Sequence, residues 1–185
     1  MSRRRSNPNA RLWLPPIASL VLAMFVQHAC QMLSASVLPG LWLHIDALFL
    51  VFPILYLRFA HGLPQLVIVS LAYDAMWPGP YGTRLVIYSL ILAVMVPIRL
   101  RIRRENPMHV LLLSMALNLV VFVGLALVAT FGPEHMGEVP IGRMLGDLLA
   151  SELVVGLCAF WWLEVQRALI IMSSGDDPAG YPIVG

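Results

Sequence analysis

The chain has 185 residues, of which 59% are hydrophobic and 12% are charged, and its mean hydropathy is +0.82. A soluble domain typically has about a quarter of its residues charged, so this composition indicates an integral membrane protein. The length allows roughly six spans of about 20 residues and leaves no room for a soluble catalytic domain. The net charge is only +2, and all 12 basic side chains are arginine, so their positions matter more than their sum.

We divide the chain into a basic cytoplasmic tail (1–11), a six-helix transmembrane domain (12–171) and a flexible cytoplasmic tail (172–185). The last segment is too rich in Gly, Pro and Asp to fold alone. The first apolar run, 12–33, is too long for the core of a signal peptide, so we expect a retained helix.

The second apolar run, 45–59, follows a predicted short outer loop at 34–44 and opens with Asp46. It is short for a span, and Pro53 in its middle favours a kink or a break. Two alternatives are a start inside the loop, at Leu41, and a partly re-entrant segment. A tight turn is predicted next, at 62–64.

A sharp hairpin separates the third helix, 63–76, from the fourth, 83–98. Its sequence, WPGPYG at 77–82, contains two prolines, among them Pro78, and two glycines, among them Gly79. Such a segment cannot continue a helix.

The last two predicted helices are 108–131, with Asn118 as a buried polar candidate, and 142–171, with Asp147 and Glu152 in its first half. A basic cluster precedes them at the membrane surface, formed by Arg99, Arg101, Arg103 and Arg104.

Arginine positions predict the orientation. With six spans and the N-terminus inside, ten of the 12 arginines are cytoplasmic, and only Arg84 and Arg143 lie outside. Membrane proteins prefer this arrangement, so both termini are predicted to be cytoplasmic. The basic cluster at 99–104 would also attract anionic lipid or an acidic partner, by about 1 kcal/mol per arginine.

Several ionisable side chains are candidates for a site at the outer end of the helices. Asp74 and Arg84 flank the hairpin and either pair or remain separate, solvated charges. With Asp46, Asp147 and Glu152 they could line an outward-facing polar pocket. The alternative for these three acids is placement at a helix start, which the helix dipole favours, although Glu152 lies too far into its helix for that.

Small residues recur every four positions at Gly142, Gly146 and Ala150. Such a stripe lets helices approach closely, either within the protein or with a partner.

Signatures of catalysis and ligand binding were sought without success. The sequence has neither a phosphate-binding Gly loop with Lys nor the Cys and His spacing of a metal site. We therefore predict no enzymatic activity, no cofactor, no metal and no nucleic-acid partner.

The order of features resembles the MreD family, the small rod-shape-determining membrane proteins of bacteria. Members have an acidic residue that opens the second run, in a Pro-Asp-Leu-Leu-like pattern, and a third helix that ends in Gly…Leu-Leu-x-Asp before a Gly/Pro turn. Here Ile45-Asp46-Ala47-Leu48 matches the first pattern without its proline, and Gly62 with 70–82 (SLAYDAMWPGPYG) matches the second. The resemblance covers about residues 40–105 by motif and the rest by topology.

The resemblance implies a multi-pass protein of the bacterial inner membrane, acting as a non-catalytic scaffold in lateral peptidoglycan synthesis. Members bind MreC, a single-span protein, in a complex with MreB filaments, a RodA-type glycosyltransferase and a class B transpeptidase. The family fold also resembles the substrate-binding subunits of energy-coupling-factor vitamin transporters. This gives an alternative, a small-molecule pocket that includes Asp74, Arg84 and Glu152, or one that receives a lipid. The short outer loops, poor in residues for a lid, favour the scaffold.

Overall fold

A computed structural model shows helices and, in the residues it describes, no strand. The described residues are 17–18, 21–22, 24–25, 28–29, 32, 42–57, 59–76, 79–102, 106–131 and 141–174. The helices are α1 (Ala47–Tyr56), α2 (Phe59–Ala75), α3 (Thr83–Ile98), α4 (Pro107–Phe131) and α5 (Ile141–Ser174), with a 3-10 turn at Arg99–Arg101 after α3. Described residues of the first apolar run are also helical, but both predicted tails lie outside the described residues.

Helix α1 is the centre of the fold. It is apolar on all sides, and its residues from Ala47 to Leu55 are at most 5% exposed, because α2, α3, α4 and α5 all pack around it. At 1.5 Å per residue, its ten residues span about 15 Å. The second apolar run therefore forms a helix much shorter than its neighbours, and that helix is surrounded by protein.

Residues 42–45, which precede α1, form neither helix nor strand, as expected of the end of the predicted loop. His44 and Ile45 are nevertheless buried, because α4 and α5 cover the segment and bind its backbone, as described below. The alternative of a helix that starts at Leu41 is wrong, since α1 starts at Ala47.

Pro53 does not break α1, which continues for three residues beyond it. Proline has no N–H, so the Phe49 carbonyl loses its helical partner. Gly62 of α2 packs against this site, where a Cβ would lie 3.2 Å from the Pro53 carbonyl oxygen. Glycine therefore permits close contact between α1 and α2.

The predicted turn at 62–64 is wrong, because α2 begins earlier, at Phe59. Pro64 lies inside α2, in its second turn, with an exposed side chain. Because proline has no N–H, the carbonyl of Ala60 lacks a helical hydrogen bond. That carbonyl belongs to the second residue of α2, so the other helical hydrogen bonds are unaffected.

The other helix predictions are confirmed to within three residues. Helix α3 has the predicted bounds, α4 starts one residue early, and α5 extends from 141 to 174 instead of 142 to 171. Among the described residues, two helices are long and apolar enough to cross a membrane, Pro107–Phe131 and the segment Gly142–Leu169 of α5.

Besides an apolar core, the molecule exposes many large apolar side chains and buries several polar and charged ones. Leucine and valine side chains cover the outward faces of α4 and α5, including those of Leu112, Val123, Leu149 and Leu157. The interior holds polar side chains, and those buried are His44, Asp46, Gln65, Ser70, Asp74, Arg84, Arg99, Ser114, Asn118, Asp147, Ser151 and Gln166. An apolar surface of this kind marks contact with lipid or another protein.

Candidate functional site: a buried ionic cluster

Three charged residues from three elements meet in the interior. Asp46 directly precedes α1, Asp74 is next to the last residue of α2, and Arg84 is the second residue of α3. The Arg84 guanidinium donates from Nε to Asp46 Oδ1 at 2.9 Å and from Nη1 to Asp74 Oδ1 at 3.3 Å. All three side chains are buried, so each charge depends on the others for stabilisation.

Asp74 also closes the hairpin through the backbone. Its Oδ2 accepts hydrogen bonds from the N–H of Gly82 at 3.0 Å and of Arg84 at 3.1 Å. The N-cap position of α3 is Gly82, which has φ 91° and no side chain to cap the helix. Asp74 therefore satisfies the free N–H groups at the start of α3 from another helix.

Two tyrosines complete the cluster. The Tyr88 hydroxyl, one turn after Arg84 on α3, donates to Asp46 Oδ1. The Tyr73 ring lies beneath the guanidinium, with 4.4 Å between its centroid and Arg84 Cζ, a cation–π geometry. Sequence reasoning missed both residues, although Tyr88 at the i+4 position from Arg84 and Tyr73 beside Asp74 were available signals.

The charges of the cluster are two carboxylates and one guanidinium. Each carboxylate also lies at the N-terminal end of a helix, Asp46 at α1 and Asp74 at α3, where the helix dipole is positive. His44 Nδ1 lies 4.0 Å from Asp46 Oδ2. The cluster has one more negative than positive charge, and the positive N-terminal ends of α1 and α3 stabilise that excess negative charge.

A second set of polar side chains, Asn118 of α4 with Asp147, Ser151 and Glu152 of α5, lies around segment 42–45 and the start of α1. The backbone N–H of Trp42 donates to Asp147 Oδ1 at 3.3 Å and that of His44 to Ser151 Oγ at 2.8 Å. The N–H of Ala47 donates to Asn118 Oδ1 at 3.4 Å. Side chains of α4 and α5 therefore replace the backbone partners that a helix would have supplied.

The predicted pocket is divided in the structure. Asp74 and Arg84 pair, which was one of the two alternatives, and Asp46 joins them at the same guanidinium, whereas Glu152 belongs to the second group. There Glu152 Oε1 accepts from Asn118 Nδ2 at 3.2 Å. Asn118 is fully buried, as predicted, and bonds both the start of α1 and Glu152.

Two predicted helix-start roles are only partly correct. Asp46 occupies the N-cap position of α1, but its side chain makes no capping hydrogen bond there because it binds Arg84 and Tyr88 instead. Asp147 lies in the second turn of α5 and binds the backbone of Trp42. Gly79 is half-buried in the hairpin, while Pro78 lies outside the described residues.

The small-residue stripe makes no close internal contact. Gly142 and Gly146 are exposed, and no described atom lies within 4 Å of where their Cβ would be. Ala150 is half-buried. Of the two alternatives for the stripe, contact within the described part of the chain is wrong for both glycines.

The predicted basic cluster at 99–104 contains both a buried and an exposed arginine. Arg99 is buried, and its Nη1 donates to the Leu57 carbonyl at 3.0 Å. That carbonyl follows the end of α1, where helical partners are missing, which explains the burial. Arg101 is exposed as expected, and Arg103 and Arg104 lie outside the described residues.

The ionic cluster joins three helix ends, the starts of α1 and α3 and the end of α2. Asp46 Oδ1, both Asp74 oxygens and Arg84 Nε and Nη1 bind one another, the α3 backbone or Tyr88. No group of three or more metal-ligating side chains occurs among the described residues. No family model, curated protein or solved structure matches the chain.

Proposed function

We propose that this chain is a six-helix protein of the bacterial inner membrane, with both termini in the cytoplasm, and a non-catalytic scaffold of the cell-elongation complex of the MreD type. The apolar outward faces of α4 and α5 and their length support membrane insertion. The arginine distribution supports the orientation. The fold would then resemble that of energy-coupling-factor substrate-binding subunits.

One observation carries the family assignment. The two acidic residues on which the resemblance depends, Asp46 and Asp74, are 28 positions apart in the sequence and bind the same guanidinium. Two short motifs that look independent in sequence thus form one structural unit. In a family without catalytic residues, the shared motif is expected to consist of residues that hold the fold together, as Asp46 and Asp74 do here.

The scaffold role also fits the interior. Several buried polar side chains, among them Asn118, Ser151 and Asp147, bind the protein's own backbone. A scaffold needs a rigid helix bundle with free outward faces for other membrane proteins. We infer that it binds an MreC-type single-span protein and, through it, MreB filaments, a RodA-type glycosyltransferase and a class B transpeptidase.

The test is depletion combined with defined co-purification. Loss of the protein from its own bacterium should turn rods into rounded cells, and tagged protein should retain the MreC-type protein encoded by the same genome. Rods that persist after complete depletion, with no MreC-type protein retained, would refute the proposal. Loss of uptake of a vitamin instead would favour the transporter alternative.

A further inference from the structure

We propose that His44 makes segment 42–45 an acid-sensitive latch, which binds α4 and α5 while the imidazole is neutral and is released when the imidazole takes up a proton. The segment contains the end of the predicted outer loop and precedes α1. In the proposed orientation it would therefore respond to the pH outside the cell. The inference goes beyond the scaffold function and does not depend on it.

Side chains of other helices hold the latch. The N–H of Trp42 donates to Asp147 Oδ1 at 3.3 Å, and the N–H of His44 donates to Ser151 Oγ at 2.8 Å. Because residues 42–45 form neither helix nor strand, releasing them leaves the helices in place. A local opening of this kind has a much smaller free-energy cost than global unfolding, so one added charge can shift it.

The imidazole of His44 lies where its charged form is unfavourable. The residue is only 7% exposed, and its ring packs in a T-shaped contact against Phe122 of α4, with 5.2 Å between the ring centroids. Its Nδ1 lies 4.0 Å from Asp46 Oδ2, which is beyond hydrogen-bond distance. Moving a charge from water to such a place is costly unless it is paired and hydrogen-bonded, so the neutral imidazole is favoured while the latch is bound.

The charged groups around His44 largely cancel one another. Asp46 and Asp147 attract an imidazolium. The Arg84 guanidinium of α3, which binds Asp46 Oδ1 at 2.9 Å, and the positive N-terminal end of α1 repel it. On α2, the charge of Asp74 is paired with the same guanidinium. The loss of hydration therefore decides which form of the imidazole is favoured.

The other polar groups that face the latch or the ionic cluster are uncharged or bonded elsewhere: Tyr73, Tyr88, Asn118, Ser151 and Glu152.

The sign of the pH dependence follows from the two states of the latch. In the released state His44 is hydrated and takes up a proton near its usual pH of about 6.5, whereas the bound state resists protonation. Because the released state binds more protons, a fall in pH favours release. One proton changes the ratio of released to bound latch by at most about tenfold per pH unit.

The test follows the latch in the full-length protein in phosphatidylcholine liposomes. A nitroxide is attached at Trp42→Cys, with Cys30→Ser and Cys158→Ser, and the substitution keeps the backbone N–H that binds Asp147. We expect the mobile fraction of the electron paramagnetic resonance spectrum to increase at least about fivefold from about pH 7.5 to about pH 5.5, and to decrease again on return. A mobile fraction that stays constant or decreases at low pH would overturn the proposal.

Three variants identify the titrating group. His44→Gln, which is uncharged at both pH values, should abolish the increase. His109→Gln, which removes an exposed histidine of α4, is the matched control and should retain it. Glu152→Gln should also retain it, because that carboxylate binds Asn118. An increase that persists in His44→Gln, or that is lost in either of the other two variants, contradicts the latch.

A second measurement needs no His44 variant. In protein labelled with ¹⁵N-histidine, the nitroxide at position 42 should broaden the magnetic resonance signals of His44, which is two residues away, and so identify them. We expect these signals to show a neutral imidazole at about pH 7.5 and an imidazolium at about pH 5.5, with the same midpoint as the mobile fraction. An imidazolium at about pH 7.5, or a neutral ring in the released latch at about pH 5.5, is incompatible with the proposal.

The latch is independent of the cell-elongation role. If the purified protein shows the pH response but rods persist after depletion, the scaffold function is refuted and the latch stands. If depletion rounds the cells and the MreC-type protein co-purifies, but the pH response is missing, the latch is refuted and the scaffold function stands.

Discussion

Arg84 is the residue on which the buried charges depend. It is fully buried and binds a carboxylate from each of two other elements, and Tyr73 packs on its guanidinium. A buried ion pair adds little stability relative to apolar residues of the same volume. Removing one member, however, leaves the others charged and unpaired, which is strongly unfavourable.

Replacing Arg84 by Met should lower the free energy of unfolding by about 3–5 kcal/mol, because two buried carboxylates lose their counter-charge. Denaturant titration of the purified protein in detergent measures the change. Arg101→Met is the matched control, since Arg101 is exposed, and should change stability by less than about 0.5 kcal/mol. Adding Asp46→Asn to Arg84→Met should restore part of the loss; no restoration would contradict the coupling.

At the scale of elements, side chains of the neighbouring helices bind the backbone of segment 42–45 and of the start of α1. Asn118 and Ser151, on α4 and α5, accept hydrogen bonds from the N–H groups of Ala47 and His44. The Trp162 indole N–H donates to the Leu48 carbonyl at 3.0 Å. Irregular backbone in a membrane protein is tolerated where protein surrounds it in this way.

Asn118→Leu should destabilise the protein by about 1–3 kcal/mol, since the buried N–H of Ala47 and the Glu152 carboxylate both lose a partner. Hydrogen exchange of the Ala47 amide should accelerate with it. Leu119→Ala, on the outward face of the same helix, is the control and should leave that exchange rate unchanged. Equal protection of Ala47 in the Asn118 variant would show that this hydrogen bond is unimportant.

Contact between α1 and α2 depends on Gly62. Gly62→Ala should destabilise by about 1–2 kcal/mol, because its Cβ meets a backbone carbonyl that cannot move aside. Gly146→Ala, in open space, should be neutral or stabilise by up to about 1 kcal/mol through helix propensity. Thermal unfolding of both variants gives the comparison. A Gly62 variant as stable as the Gly146 variant would exclude close packing at this point.

For the whole molecule, an apolar core around α1 is crossed by buried polar contacts, and many further apolar side chains face outward. Buried Asp, Asn, Arg and Ser side chains join α1 to the helices around it, while Leu and Val face outward. In lipid, apolar packing alone gives little preference for one helix arrangement, so polar contacts between helices specify it. The two polar groups thus determine which helices surround α1.

The proposed orientation predicts that the hairpin around Gly79 faces the outside of the cell. A cysteine at Gly79, in a variant with both native cysteines replaced by serine, should react with a membrane-impermeant thiol reagent in intact spheroplasts. A cysteine at Arg101, at the opposite end of α3, should react only after the membrane is opened. The reverse pattern would reject the six-helix scheme.

The sequence by itself determined the two long apolar helices α4 and α5 to within three residues and the bounds of α3, because apolar length and Pro/Gly breaks are local signals. The sequence also identified Asp46, Asp74, Arg84 and Asn118 as candidate site residues, since a charge or an amide within an apolar run is unusual. It could not place the turn before α2, because Gly62 and Pro64 resemble a turn unless their contact with α1 is known.

Only the tertiary structure decided how these residues are grouped. Asp46 and Asp74 share Arg84 while Glu152 pairs with Asn118, and Arg99 is drawn inside by the carbonyl of Leu57. The reason is that no helix satisfies the backbone groups at its own ends, and both ends of α1 are buried. The groups at those ends are bonded by whichever side chains the surrounding helices bring near, and local sequence does not encode that proximity.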